Sequence, residues 1–276
     1  MPSGFLSPPH FKNWSFNKWH KLLPILPVIL FSSCISLLFP KVDTSQASLT
    51  MAGDPRLSNQ EYASRIAADG WPIEDLNTAA HIDFLNEDEK NIILAHNLVR
   101  FDPEKFALLY VAEFIGYFRG NEFHYPGFGT IMLTREGVTP ANELYLELLK
   151  TEPMGLLFPS RGLSQAAELH ATYLRRRGIR GHGGQGGIRA RIERFGRWDG
   201  QIGENISYGN FSAHDAVIFL MIDDDVFDRS HRYNVLHPGF NYIGVARDRH
   251  PGFPVGDMYV INYAHYFREH EVFTQP

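Results

Sequence analysis

Gly181-His182-Gly183-Gly184, Phe195-Gly196-Arg197-Trp198, Gly203-Glu204-Asn205-Ile206-Ser207-Tyr208-Gly209, Ile222-Asp223-Asp224 and Arg229-Ser230-His231-Arg232-Tyr233-Asn234 follow one another between Gly181 and Pro238. Three of these blocks set a histidine or a carboxylate in a Gly-rich or turn context, where side chains can face a cleft instead of a core. Imidazole and carboxylate together suit zinc or a similar divalent ion, with a position left for water if only three or four groups converge. No H-E-x-x-H signature is present, and the candidate ligands are scattered over about fifty residues, so spacing alone makes a weak case for a metal.

Outward from this stretch, periodicity predicts the elements. Leu163, Ala166, Ala167, His170, Tyr173 and Leu174 recur at helical spacing and stop at Gly178. His170 on that apolar face reads as a core histidine, and His96 reads similarly. An earlier helix starts at Asn86, which has capping-box spacing to Glu89, and carries Ile92, Ile93, Ala95, His96 and Val99 as its stripe. Asn97 and Arg100 would fix that helix against a neighbouring loop. Asp102-Pro103 restarts the chain into a helical stretch through Phe106, Leu109, Tyr110 and Phe114. Tyr125 to Gly137 reads as loop and hairpin, Thr139-Pro140 opens another helix, and Ser212 with Asp215 boxes a helix through Val217, Leu220 and Met221. Tyr242, Gly244 and Ala246, then Tyr259 to Tyr263, change to strand period. Helices first and strands later predict an α+β layered sandwich instead of βαβ repeats.

The chain has 276 residues, 44% of them hydrophobic and 21% charged, which allows a packed core. A formal net charge of -5 argues against nucleic acid as the partner. Trp198, Tyr208 and Tyr233 accordingly read as core and cleft walls, not as platforms for bases. Arg175, Arg176, Arg177, Arg180, Arg189, Arg191, Arg194 and Arg197 form a local basic run that reads as a solvated positive face, with an anionic envelope polymer or lipid headgroup as the sharper alternative. The single cysteine, Cys34, excludes an intramolecular disulfide and a thiolate metal cluster.

Leu22 to Phe39 carries no charge and follows Lys12, Lys18 and Lys21, the layout of a signal peptide or membrane anchor. Ser45 and Ala47 offer a small-x-small cleavage site, and Cys34 after Phe31-Ser32-Ser33 resembles a relaxed lipoprotein signal. The expected organisation is a signal peptide or anchor over 1–47, a tether and leading segment over 48–85, one domain over 86–268 and a tail over 269–276. Export to the medium, the periplasm or the envelope follows, with membrane contact only through the N-terminal segment.

The ordered blocks closely resemble the CAP superfamily of cysteine-rich secretory proteins, antigen 5 and pathogenesis-related proteins. They are His96-Asn97 with Arg100 and Asp102-Pro103, the helix with His170, Gly181-His182-Gly183, Gly-Arg-Trp, Gly-Glu-Asn-Ile-Ser-Tyr-Gly, Asp-Asp-x-Val and His-Arg-x-Asn. The resemblance covers roughly Asn86 to Phe267 and is nearest to the bacterial, disulfide-free branch. It implies a three-layer α-β-α sandwich (the SCP domain) with a cleft tetrad of two histidines and two acids that holds a divalent metal, zinc or another, in some members. By that resemblance His182 and His231 are the histidines, Glu204 is the first acid and Asp223 the second, with Asp224 as its substitute. The departure is the second acid, since eukaryotic members place a Glu where this chain has Asp223, Asp224 and Asp225.

Two functions compete. One is a binding module that engages a lipid, glycan, peptide or envelope protein. The other is a metal-dependent, peptidase-like hydrolase with Glu204 as general base. No Gly-x-Ser-x-Gly is present, so the second would depend on the metal alone.

Overall fold

The computed structural model describes residues 59–126, 131–209, 211–251 and 256–270. The expected export segment, its cysteine Cys34 and the last six residues of the tail lie outside them.

The packed body begins well before Asn86. Asn59–Ala68 (α1) and Ile73–Leu76 (α2) are helices, and Tyr62, Ile66, Trp71, Leu76, Ala79 and Leu85 are buried in the main core. From α1 onward the expected leading segment therefore belongs to the folded body; Tyr62 and Ile66, four residues apart, share one helical face. Glu87–Phe101 (α3) forms the capping box in full: Asn86 Oδ1 accepts from Glu89 N at 3.0 Å, and Glu89 Oε2 accepts from Asn86 N at 2.9 Å. Asp102 then accepts from Lys105 N and opens Pro103–Phe106 (α4), followed by a π-helical turn over Ala107–Val111 and by Ala112–Gly116 (α5). The π turn shifts the helical phase. Tyr110 and Val111 are buried as a result, while Leu109, expected on the apolar stripe, is exposed.

Phe118–Arg119 (β1), Glu122–Phe123 (β2) and Met132–Leu133 (β3) make a small antiparallel sheet, of which only β3 lies in the stretch from Tyr125 to Gly137 expected as loop and hairpin; it pairs with β2, which precedes that stretch. Thr139–Leu148 (α6) starts with Thr139 already helical and Pro140 in its first turn. The larger sheet contains Phe158–Pro159 (β4), Gly196–Tyr208 (β5), Tyr242–Arg249 (β6) and Asp257–Glu269 (β7) in the order β4-β6-β7-β5, with β4 parallel to β6 and the other pairs antiparallel. Arg161–Arg177 (α7) ends on Gly178 in the left-handed conformation, as the stop signal predicts. Gly187–Ile192 (α8), Ala213–Ile222 (α9) and Ser230–Val235 (α10) complete the helices of the described residues.

The sandwich follows from the period of β7. Tyr259, Ile261 and Tyr263 pack into the core shared with α3 and α9. On the other face, Met258 and Val260 pack with Ala167, Ala171 and Leu174 of α7, and Ala264 with Leu163 and Ala166. Alternate residues of one strand thus enter two different cores, and the sheet lies between α7 and the α3–α9 layer, giving the α-β-α order. The body also extends past 268: Glu269 accepts from Ser160 Oγ at 3.1 Å and Gly162 N at 2.9 Å, and His270 N donates to Phe195 O.

Candidate functional site

Glu204 sits within β5, opposite Asn262 of β7, and not in the turn its flanking glycine implies. Gly203 is there for a close approach: a Cβ at that position would lie 2.8 Å from Asn234 Oδ1. The Glu204 carboxylate, 3% exposed, is held from two sides. Arg191 Nη2 donates to Oε1 and to Oε2, each at 2.7 Å, and His182 Nδ1 donates to Oε1 at 2.9 Å. Burial pushes the Glu204 carboxyl up, but the His182 hydrogen bond and the Arg191 charge outweigh it and hold it below the ordinary glutamate value.

Arg191 is the residue that sequence reasoning missed. Its seven companions in the arginine run are exposed as expected, whereas Arg191 is fully buried on α8. Besides Glu204 it donates through Nη1 to the carbonyls of His182, at 3.3 Å, and Gly184, at 3.2 Å. The loop carrying His182 is therefore tied to the same guanidinium that neutralises Glu204. Gly181, Gly184, Gly186 and Gly187 all have positive φ there, conformations that residues with a Cβ rarely adopt. Tyr208 accepts from Gly181 N at 2.9 Å, and His170 Nε2 donates to Gly181 O at 3.0 Å. His170 is fully buried, as expected, and its pKa is lowered mainly by burial.

The second half of the site is built on the turn after α9. Asp223 ends α9 in the left-handed conformation, φ 59°, which Asp tolerates better than most residues. Its Oδ1 accepts from His231 Nδ1 at 2.6 Å and its Oδ2 from His231 N at 2.9 Å. Arg229 braces the turn, donating to Asp223 O at 2.9 Å and pairing with Glu136 at 2.7 Å. Asp224 points elsewhere: its oxygens accept from Arg135 N and Glu136 N, both at 2.8 Å. It fixes the loop before α6 and is no substitute for Asp223.

The His182 and His231 rings lie 6.1 Å apart, centroid to centroid. The tetrad thus comes together as two carboxylate-imidazole pairs. In each pair Nδ1 carries the proton given to the acid, which leaves Nε2 as the basic nitrogen. The acids are almost wholly buried, whereas the side chains of His182 and His231 are 51% and 21% exposed. Among the described residues no three of His, Cys, Asp and Glu converge as a metal cage would require. His182 and His231 are the residues that would hold an ion through Nε2, with Glu204 and Asp223 accepting from their Nδ1 atoms.

A polar network connects this site to the core. His96 Nδ1 donates to Ile92 O at 2.7 Å, so its Nε2 accepts from Tyr263 Oη at 2.7 Å. Asn205 Nδ2 donates to Tyr263 Oη and, at 3.0 Å, to His231 O, and Asn234 Nδ2 donates to Asn205 Oδ1 at 2.8 Å. Asn97 and Arg100 fix α3 as predicted, Arg100 donating to the carbonyls of Gly155, Val235, His237 and Phe240. Tyr233, expected as a core or cleft wall, is exposed.

The model of the cysteine-rich secretory protein family matches residues 95–263, more than half of the chain. No curated protein matches it. Among solved structures, an extracellular SCP-domain protein from Bacillus anthracis is similar at 18% identity and a TM-score of 0.31, over 46% of this chain and 37% of that one. An outer surface protein from Borrelia burgdorferi is similar at 17% identity and a TM-score of 0.32, over 46% of this chain and 92% of that one. The chain spans just over a third of the length of the first.

Proposed function

Because the chain belongs to the cysteine-rich secretory protein (CAP) family, a fold on which function must be argued from the site, we propose that it is an exported, non-catalytic binding module whose cleft presents His182 and His231 to a divalent cation. The observation that carries this reading is the state of Glu204. Its carboxylate is buried and spent on Arg191 and His182, so it is a poor proton acceptor for a water or a substrate, and a hydrolase built on it would lack its general base. The acids orient the imidazoles and the imidazoles bind. Zinc or a similar ion, when bound, would supply a Lewis-acidic anchor for an oxygen or nitrogen of a partner such as a glycan, peptide, lipid or envelope protein. The uncharged stretch from Leu22 to Phe39, behind Lys12, Lys18 and Lys21, supports export.

The test is calorimetric titration of zinc into the full chain and into a His182→Ala/His231→Ala variant, at about pH 7.5 and about pH 5.5. Near-stoichiometric binding at the higher pH, weakened at the lower and absent from a folded variant, is expected. Equal binding in parent and variant, or none in either, would overturn the cation reading. Zinc-dependent peptide hydrolysis abolished by Glu204→Gln would overturn the non-catalytic one.

A further inference from the structure

Four members of the arginine run meet at the end of α7. Arg175, Arg176 and Arg177 form the last turn of that helix, and Gly178, at φ 62°, turns the chain into Ile179 and Arg180. The turn is held firmly. Gly178 N donates to Arg175 O and Ile179 N to Leu174 O, each at 3.3 Å, and His250 Nε2 donates to Ile179 O at 2.8 Å. Ile179 is nevertheless 43% exposed, although an apolar residue just after a left-handed stop commonly folds back onto its helix.

The arginines on either side of Ile179 are exposed and largely unneutralised. Arg175 pairs with Asp248 at 2.7 Å, whereas among the described residues neither Arg176 nor Arg177 makes an ion pair. The Arg177 guanidinium lies 5.8 Å from the Tyr173 ring centroid and that of Arg180 lies 5.7 Å from the Tyr208 centroid. Tyr208 in turn meets the His250 ring edge-on at 5.4 Å, which joins this end of β5 to the same turn. Stacking of this kind restricts the guanidiniums before any ligand arrives. Cations in the last turn favour a helix C-terminus, but three in succession also repel one another. An apolar tip on a rigid turn, with cations before and after it, matches the boundary between anionic headgroups and acyl chains. A soluble polyanion would satisfy the arginines and leave Ile179 in water.

We propose that the end of α7 is a docking surface for an anionic membrane, with Arg176, Arg177 and Arg180 on lipid phosphates and Ile179 at the base of the headgroups. The surface uses none of His182, Glu204, Asp223 or His231 and stands independently of the cation reading. It adds a contact made by the folded body to the one expected of the N-terminal segment. Three cations and one isoleucine give weak, reversible attachment, so this surface orients the body against a membrane and does not anchor it there.

The experiment places an environment-sensitive fluorophore on the full chain at Ile179→Cys, in a Cys34→Ser background and with chelator present. Vesicles of phosphatidylcholine alone are compared with vesicles containing about one-third phosphatidylglycerol, at about 50 and about 200 mM salt. A blue shift is expected with the anionic vesicles, smaller at the higher salt and absent with the neutral ones. Insertion of the N-terminal segment alone would leave the probe in water, so the shift reports this surface. Adding Arg176→Gln/Arg177→Gln should raise the lipid concentration needed by about tenfold or more. Thermal unfolding of that variant should stay close to the parent, because both arginines are exposed, which separates lost docking from lost folding. The proposal is overturned if the anionic vesicles leave the probe unshifted, if neutral vesicles shift it equally, or if the arginine variant responds as the parent does. An equal shift with a soluble poly(glycerol phosphate) would mean a polyanion surface and also overturns it.

Discussion

Arg191 Nη2 stands 2.7 Å from both carboxylate oxygens of Glu204, and both side chains are shut away from solvent. The pair joins α8 to β5, and through the carbonyls of His182 and Gly184 it also sets the loop that presents His182. Removing one partner of a buried ion pair leaves an uncompensated charge, at a cost of about 3–5 kcal/mol. Arg191→Met should therefore destabilise the protein by that order in urea unfolding, and Glu204→Gln should also destabilise it. Replacing both by apolar residues should cost less than the two single changes together. Additive costs in that cycle would mean that the two side chains are not coupled as their geometry says.

Asp223 and Asp224 are adjacent in sequence and serve different elements. Asp223 anchors both the ring and the backbone N–H of His231, whereas Asp224 accepts from the backbone of Arg135 and Glu136. Asp223→Asn should weaken zinc binding by about tenfold or more, the usual effect of disturbing an outer-shell partner of a histidine ligand. Asp224→Asn should leave it close to the parent. Calorimetry on the two variants decides it, and an equal loss in both would sink the assignment.

Acid should unfold this protein through buried imidazoles. Burial lowers the pKa of His96 to about 4 and that of His214 to about 3, from an ordinary 6.5. Below pH 6.5 the unfolded chain takes up protons that the folded one refuses, so stability is fully present above that pH and falls as pH drops toward 4. Each unit of that descent costs about 1.4 kcal/mol for each histidine. Glu89 and Asp215, whose carboxyls burial raises, act in the opposite sense as they protonate, so the slope is assigned to a histidine by substituting it.

His214 makes the sharper test of that slope. Neither of its ring nitrogens has a hydrogen-bond partner among the described residues, and Tyr62, Phe106 and Tyr110 pack against the ring. His214→Phe should reduce the loss of unfolding free energy as pH falls below 6.5. An unchanged slope would show that His214 is not excluded from protonation in the fold.

The sequence by itself determined what depends on neighbours along the chain. The Asn86–Glu89 box, the restart at Asp102, the Gly178 stop and the alternation of β7 all formed, because capping and period are local. Ser212 was half legible: its hydroxyl caps Asp215 N, while the Asp215 carboxylate turns to Tyr125 instead of closing the box. His182, Glu204, Asp223 and His231 are pointed to by the resemblance of their blocks to the CAP superfamily, not by spacing.

Only the tertiary structure decided what those residues do. Burial turned one arginine of a basic run into the counter-ion of Glu204, since desolvating a carboxylate demands a partner and α8 packs where it can supply one. It also made Gly203 a point of close contact with Asn234, and set Asp223 and Asp224 to work on opposite sides of one turn. Each depends on distances between segments far apart in the chain, which no local signal encodes.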